Sequence, residues 1–210
     1  MNFIRFFAVV LFSVTAVFAV FSQNAPDALN EYRQKNFERS VQICKDEITA
    51  NPNNLESHVV ICWSLIQLGR YDEALTYART ARSLSRYDPR VAEILGEIYY
   101  YKGDNNEALR YFQEYVSIAP SGSRIEQGYF YIGEIFIRLG KYRHADIALS
   151  TAVHWMPSNA AWWTKLGYAR EYAGDYIQAV EAYEKALSLN SQLNDARRGL
   201  DRVRQTLGNR

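Results

Sequence analysis

The side chains that most often perform chemistry are few in this sequence, and they are not spaced for it. The histidines are His58, His144 and His154, and none has further ligands at the spacing of a zinc site. The chain contains no HExxH, phosphate-loop or GxSxG sequence, and no pair of glutamates is singled out by its spacing. We therefore predict a protein that is not an enzyme and that has no metal site and no cofactor, with His58 as a packing residue.

The numbers of basic and acidic residues help to exclude one class of partner. The chain has 24 basic and 23 acidic residues, and Arg5 is the single charged residue before position 23. The remainder is therefore formally neutral, whereas nucleic-acid-binding domains normally show a strong basic excess. We predict that nucleic acid is not a partner.

The first 22 residues have the order of a secretory signal peptide. Arg5 precedes an uncharged run, Phe6–Phe21, which is short for a bilayer span of about 20 residues. Ala19 and Ser22 supply two candidate cleavage points. Residues 1–22 are predicted to be a signal peptide, with an uncleaved N-terminal anchor or a buried helix as alternatives; an anchor would be the chain's one membrane contact. This predicts export, with a bacterial periplasm or cell envelope as the first choice.

The rest of the chain repeats a pattern of two short helices. Between Val91 and Pro120, apolar residues at helical spacing are interrupted by Gly103, which can take the positive φ that ends a helix. Asp104 and Asn105 are suited to begin the next helix, and Pro120 ends it. Alanine follows five positions after each turn glycine. These glycines recur at spacings of 34, 37 and 34 residues, as Gly69, Gly103, Gly140 and Gly174.

This pattern resembles the tetratricopeptide repeat family over residues 28–193. The last repeat shows the family's residues most fully, as Trp163, Leu166, Gly167, Gly174, Asp175, Tyr176, Ala179, Tyr183 and Ala186. The resemblance implies an all-α fold, a right-handed α-solenoid of about five helix-turn-helix repeats, the first of them weak. Residues 23–193 would form the solenoid, and residues 194–210 would form a C-terminal capping helix.

The resemblance also implies a concave groove, lined by first helices, that binds peptide segments of partner proteins. The family's groove positions fall here on aromatic and charged residues, with acidic residues in excess: Trp63, Glu93, Glu97, Tyr100, Tyr101, Phe130, Glu134, Arg138, Tyr168, Glu171 and Tyr172. Tyr99 falls at a packing position, while Tyr100 and Tyr101 are expected to face the groove. Such a surface suits an extended segment with apolar and basic side chains. The alternative is that several tyrosines pack between first helices and the glutamates form a solvated face.

Cys44 and Cys62 fall on neighbouring helices of the implied array. In an oxidising compartment a disulfide between them would tie the weak first repeat to the stack. The alternative is two buried free thiols that pack as small apolar residues.

These features predict a non-catalytic protein–protein interaction module or scaffold of the cell envelope. It would bind a protein partner or peptide segment in an aromatic, acidic groove. Two alternatives remain open: a small-ligand-binding module that works with a transporter, and a structural component that self-associates into an oligomer. The sequence selects neither, because a fold alone does not assign a function.

Overall fold

The computed structural model describes residues 27–209, and every regular element in that range is an α-helix. Residues 1–22, which carry the predicted signal peptide, lie outside this range. The helices are α1 (Ala28–Arg33), α2 (Phe37–Ala50), α3 (Leu55–Gln67), α4 (Tyr71–Leu84), α5 (Pro89–Lys102), α6 (Asn105–Ile118), α7 (Ile125–Arg138), α8 (Tyr142–Trp155), α9 (Ala160–Ala173), α10 (Tyr176–Leu189) and α11 (Asn194–Gly208). Of these eleven, none combines the length and the apolar character that crossing a bilayer requires.

Local signals in the sequence set the ends of the middle hairpin, α5–α6. The Asp88 carboxylate accepts a hydrogen bond from the Arg90 amide at 2.9 Å, and Pro89 takes the first helical position, where its missing N–H costs nothing. Gly103 ends α5 with φ of +80°, and the Asp104 carboxylate caps α6 through the Glu107 amide. The predicted break at Gly103 and the new start at Asp104 are therefore confirmed.

The two helices of this hairpin cross at a glycine. A Cβ atom on Gly96 would lie 3.0 Å from the ring of Phe112, which is fully buried on α6. Ala108 is also fully buried beside this crossing. Small residues at the crossing let the backbones approach, so that one large aromatic side chain fills the space between them.

The hairpins stack into a curved α-solenoid. The first helices α1, α3, α5, α7 and α9 each contact the first helix of the next hairpin, and α9 contacts α11. Within residues 27–209, the backbones of the second helices α2, α4, α6, α8 and α10 do not approach one another in this way, although side-chain ion pairs such as Lys45–Glu73 and Arg82–Glu114 bridge some of them. Because the first helices lie closer together than the second helices, they line the concave side, as repeat solenoids require.

Both ends of the solenoid depart from the standard hairpin. At the N-terminal end, α1 has only six residues, and the Ser40 hydroxyl ties it to α2 by donating to the Ala28 carbonyl at 2.8 Å. At the other end, α11 packs on α9 and α10 and buries Ala196, Leu200 and Val203. Its remaining face is largely polar, which suits a terminal helix.

The link between α6 and α7 is longer than its counterparts. It comprises residues 119–124, whereas residues 85–88 and 156–159 make the equivalent links. The longer link accounts for part of the 37-residue spacing seen in the sequence. It ends at Arg124, immediately before α7, and so places this arginine at the concave side of the middle hairpin.

Candidate partner-binding groove

The residues predicted to bind a partner all lie on first helices. Trp63 is on α3, and four of the others are on α5, namely Glu93, Glu97, Tyr100 and Tyr101. Three lie on α7, which are Phe130, Glu134 and Arg138. The last three lie on α9, which are Tyr168, Glu171 and Tyr172. The fold thus brings the predicted set to one face, which we call the concave groove, but it does not expose every member.

Each glutamate of the concave groove is paired with a base that follows it in the stack. Glu93 and Glu97 share Arg124, with N–O distances of 2.9 and 2.7 Å. Glu134 on α7 pairs with Lys165 on α9 at 3.1 Å, and Glu171 on α9 pairs with Arg202 on α11 at 2.8 Å. The pairs thus form a ladder that ties consecutive hairpins together along the concave side.

In each ion pair of the ladder, the carboxylate is buried and the base is more exposed to solvent. The four glutamate side chains are only 7–13% exposed, whereas Arg124, Lys165 and Arg202 are 37%, 46% and 49% exposed. At these ion pairs the bases, and not the glutamates expected from the sequence, therefore reach the surface of the concave groove. The physical reason is that carboxylates packed between first helices need a cation to offset desolvation, and neighbouring hairpins supply it.

The centre of the ladder has two carboxylates and one guanidinium. Burial raises the pKa of Glu93 to about 7; Arg124 lowers it in part and the nearby Glu97 raises it further. Burial also raises the pKa of Glu97, again opposed by Arg124. The cluster therefore holds a proton more readily than exposed carboxylates would.

Tyr100 and Tyr101 have different environments. Tyr100 is only 8% exposed: its ring lies 4.8 Å from that of Tyr131 and beneath the Arg138 guanidinium, whose carbon is 3.7 Å from the ring centre. Tyr101 is 46% exposed and stacks on Tyr71 at 5.1 Å. Tyr100 thus packs between first helices, as the alternative interpretation holds, and Tyr101 offers open surface.

The C-terminal part of the concave groove holds a cleft of about 520 Å³. Tyr168 and Tyr172 lie against each other at 4.4 Å, and Tyr142 of α8 adjoins Tyr172 at 5.2 Å. Tyr172 is 51% exposed, so one side of its ring is open to a partner. The residues that line the cleft are Ile137, Thr164, Lys165, Tyr168, Tyr172, Tyr183, Asp195, Arg198 and Arg202.

The other two predicted aromatic residues are largely engaged within the fold. Trp63 is half-buried, with its ring 5.8 Å from that of Tyr32 on α1, and its indole N–H has no acceptor among residues 27–209. Phe130 stacks on Trp162 of α9 at 4.8 Å. These rings mainly join consecutive first helices, as Tyr131 does in the middle of the array.

Cys44 and Cys62 are both completely buried and are free thiols in this structure. Burial raises the pKa of Cys44 to about 12, and it raises the pKa of Cys62 as well. The Cys62 thiol lies 3.5 Å from the Ala74 carbonyl of α4, to which it donates. Both side chains are therefore protonated and inaccessible, a state in which thiols react slowly.

Side chains suited to metal binding do not converge in the part of the chain that the structure describes. No three His, Cys, Asp or Glu residues within 27–209 are grouped closely enough to hold a metal ion. His58 is buried, with its Nε2 atom 2.9 Å from the Pro52 carbonyl, and it packs beside Tyr77. It therefore occupies a packing position, as the sequence predicted.

Several important groove residues were not singled out by the sequence. These are Arg124, Tyr131, Lys165 and Arg202, each of which joins one hairpin to the next. One signal was present: Lys165 follows Glu134, and Arg202 follows Glu171, by the same 31 positions. Opposite charges at a fixed offset near the repeat length indicate pairing between consecutive hairpins.

The same repeat is found in proteins of other kinds. Models of the tetratricopeptide repeat match residues 63–123 and residues 160–193. A tetratricopeptide repeat protein 21 homolog from Caenorhabditis briggsae is 21% identical over 161 residues, or 74% of this chain. This chain spans only 12% of that relative's length.

Solved structures share the architecture at low sequence identity. The crystal structure of PilW, a widely conserved type IV pilus biogenesis factor, has a TM-score of 0.73 at 18% identity, over 87% of this chain and 83% of PilW. A crystal structure of MamA has a TM-score of 0.70 at 18% identity, over 80% of this chain and 96% of MamA. At this identity the likeness shows the fold. The repeat models and the stacked hairpins show that the chain is built of tetratricopeptide repeats.

Proposed function

We propose that this protein is a non-catalytic scaffold that binds an extended segment of a partner protein along its concave groove. Tetratricopeptide repeat solenoids support this role, since their fold presents a long curved surface and no enclosed reaction chamber. The observation that carries the proposal is the exposure of Tyr101 and Tyr172. They occupy the last turn of α5 and α9, two hairpins apart, and both are about half exposed on the concave side.

Half-exposed tyrosines are well suited to anchor a partner. A tyrosine side chain buries a large area when it is covered, and it loses little conformational entropy because it has few rotatable bonds. Tyr101 and Tyr172 are each already held by a neighbouring ring, Tyr71 and Tyr142, at 5.1 and 5.2 Å. Such prior ordering reduces the entropic cost of binding.

The shape of the C-terminal cleft favours a segment over a small ligand. Its volume of about 520 Å³ adjoins two further clefts of about 400 and 420 Å³, which share lining residues with it. The shared residues are Thr164, Lys165, Tyr172, Asp195, Arg198 and Arg202. A small molecule is usually enclosed on most sides, whereas an open run of clefts can follow an extended chain.

We further propose that the protein acts in a bacterial cell envelope, after export directed by residues 1–22. The proposal depends on the order of charge, apolar run and small residues at positions 1–22. Mass spectrometry of the protein from a cell fraction would test it. An N-terminus at Val20 or Gln23 would support export with cleavage, and an intact N-terminus in the cytoplasmic fraction would contradict it.

The groove is tested by a double variant, Tyr101→Ala with Tyr172→Ala. A partner is first captured on the full chain, identified and purified, and its Kd is then measured for each variant. We expect the double variant to bind at least about tenfold more weakly, because both anchors are lost. Tyr87→Ala is the matched control, since Tyr87 is 71% exposed in the link before α5. Unchanged affinity in a folded double variant would exclude the groove.

A further inference from the structure

We propose that the partner segment is acidic: at the C-terminal cleft its carboxylate side chains bind Lys165, Arg198 and Arg202, and its apolar side chains pack on Tyr168 and Tyr172. This inference rests on the proposed function, and it reverses the partner charge expected from the sequence. It follows from the depth of each charge, from the weak pairing of Arg198 and from the open tyrosine rings beside the bases.

The first observation is the depth of the charges at the cleft. Glu134 is 13% exposed and Lys165 above it is 46% exposed, while Glu171 is 12% exposed and Arg202 is 49% exposed. Each carboxylate thus lies behind its base as seen from solvent. At these two pairs an approaching charged group meets the base first, and the nearer charge dominates because Coulomb energy falls with distance. The exposed carboxylate that also lines the cleft, Asp195, is paired with Arg198.

The second observation is that Arg198 has a partner it can readily exchange. It pairs with Asp195, three residues earlier on α11, and the two side chains are 69% and 78% exposed. Exposed pairs of this type contribute little to the stability of a protein. A carboxylate held in the cleft can therefore take the Arg198 guanidinium at little cost.

Arg202 contrasts with Arg198 in this respect. Its guanidinium donates to both oxygens of Glu171, each at 2.8 Å, and Tyr183 donates to the same carboxylate at 2.6 Å. This fixes the position of Arg202 while leaving about half of its side chain open. Arg202 thus provides a positioned charge, and Arg198 provides a mobile one.

The third observation is the apolar surface between these bases. Tyr168 and Tyr172 lie in contact at 4.4 Å, and Tyr172 is half exposed. Tyrosine faces beside cations suit a segment in which apolar and acidic side chains alternate. A lysine at the same place would meet three cations and one exposed carboxylate, Asp195, so like charges would outnumber opposite charges.

The test uses three short peptides with amide-capped C-termini and a fluorescent label. Phenylalanine alternates with glutamate in the first, with lysine in the second and with glutamine in the third. Binding to the full chain is followed by anisotropy. We expect the glutamate peptide to bind about tenfold more tightly than either of the others. Its affinity should fall when NaCl is raised from about 50 to about 500 mM.

A matched pair of charge reversals assigns the peptide to the cleft. Arg198→Glu removes a base that lines it, whereas Arg204→Glu makes the same change on α11 at a residue paired with Glu184 outside the cleft. We expect Arg198→Glu to weaken binding of the glutamate peptide about tenfold, and Arg204→Glu to weaken it less than about twofold. A second variant, Lys165→Met with Glu134→Gln, removes one base without leaving its buried carboxylate charged, and should weaken it similarly.

The inference is overturned if the lysine peptide binds as tightly as the glutamate peptide, if the glutamate peptide does not bind, or if both arginine reversals act equally. These outcomes differ from failure of the proposed function. If the double variant Tyr101→Ala with Tyr172→Ala no longer binds the purified partner, the concave groove is supported as the binding site whatever the peptides show. If the partner survives that change, the groove itself is excluded.

Discussion

Gly199 of α11 lies so close to Tyr183 of α10 that a Cβ atom there would be 2.3 Å from the tyrosine Cζ. The same ring faces Gly167 of α9, where a Cβ would be 2.6 Å away, and its hydroxyl donates to Glu171. Tyr183 is 1% exposed, so it has little room to move. The terminal helix is therefore fitted closely to the last hairpin.

This fit predicts opposite effects of two glycine substitutions in α11. Gly199→Ala should lower the free energy of unfolding by about 1–2 kcal/mol, because overpacking outweighs the better helix propensity of alanine. Gly208→Ala, at a position with no atom within 4 Å of the new Cβ, should be neutral or stabilising by less than about 1 kcal/mol. Urea unfolding measures both; equal stability of the two variants would contradict the close fit.

Tyr100 and Tyr101 should differ in what they contribute to stability. Tyr100→Ala should lower the free energy of unfolding by about 3 kcal/mol, since it removes a buried ring that packs on Tyr131. Tyr101→Ala should cost less than about 1 kcal/mol, because that side chain is 46% exposed. Denaturant midpoints of the two single variants test this. Similar losses would show that Tyr101 is also a packing residue.

The carboxylate pair at Arg124 predicts a pH dependence of stability. The pKa of Glu93 is raised from 4.5 to about 7 in the folded state, so the folded state binds this proton more tightly than the unfolded state. Stability from this group is therefore complete below about pH 4.5 and is lost as pH rises towards 7. The loss amounts to about 3 kcal/mol, at about 1.4 kcal/mol for each pKa unit.

The variant Glu93→Gln isolates this effect, because an amide does not ionise. Between about pH 5 and about pH 8, we expect the wild type to lose about 2–3 kcal/mol relative to Glu93→Gln in urea unfolding. Glu184→Gln, which changes a half-exposed carboxylate on α10, should follow the wild type. Parallel pH curves for wild type and Glu93→Gln would mean that Glu93 titrates normally.

Alkylation without reductant can show whether the two cysteines are free thiols. In the folded protein we expect neither Cys44 nor Cys62 to react quickly, since both are fully buried. After unfolding in denaturant, two labels should appear in the mass spectrum, as expected for free thiols. Absence of label under those conditions, with labelling restored by reductant, would reveal a disulfide between Cys44 and Cys62.

Helix ends, which depend on residues adjacent in the sequence, could be predicted from the sequence. Gly103 marks a helix end because few other residues accept its φ of +80°, and Asp104 marks the next start because its side chain reaches a free amide. The turn glycine recurs in the last four hairpins at nearly one spacing, as Gly69, Gly103, Gly140 and Gly174, so the order and number of their helices follow. These requirements are local, and no knowledge of the stacking angle is needed to see them.

Features that depend on how hairpins stack could not be predicted in the same way. Tyr100 is buried because Tyr131, from the next hairpin, lies against it. The acidic surface expected from Glu93 and Glu97 is neutralised by Arg124, which reaches them from the longer link before α7. The position of a residue within the repeat predicts which face of its helix the residue occupies. The exposure of its side chain depends on the neighbouring hairpin that packs over it.

The wide spacing of consecutive second helices has a consequence for bending. Within residues 27–209, the backbones of these helices do not pack on one another, and side-chain ion pairs such as Lys45–Glu73 and Arg82–Glu114 bridge some of the gaps. The closer packing of the first helices therefore provides most of the resistance to bending. The concave side carries the ion-pair ladder, and opening the curve would pull each of its carboxylates from the paired base. Electrostatic attraction within these ion pairs therefore contributes to the resistance of the concave groove to opening. We expect high ionic strength to ease opening of the concave side only to a limited extent, because the carboxylates of the ladder are buried.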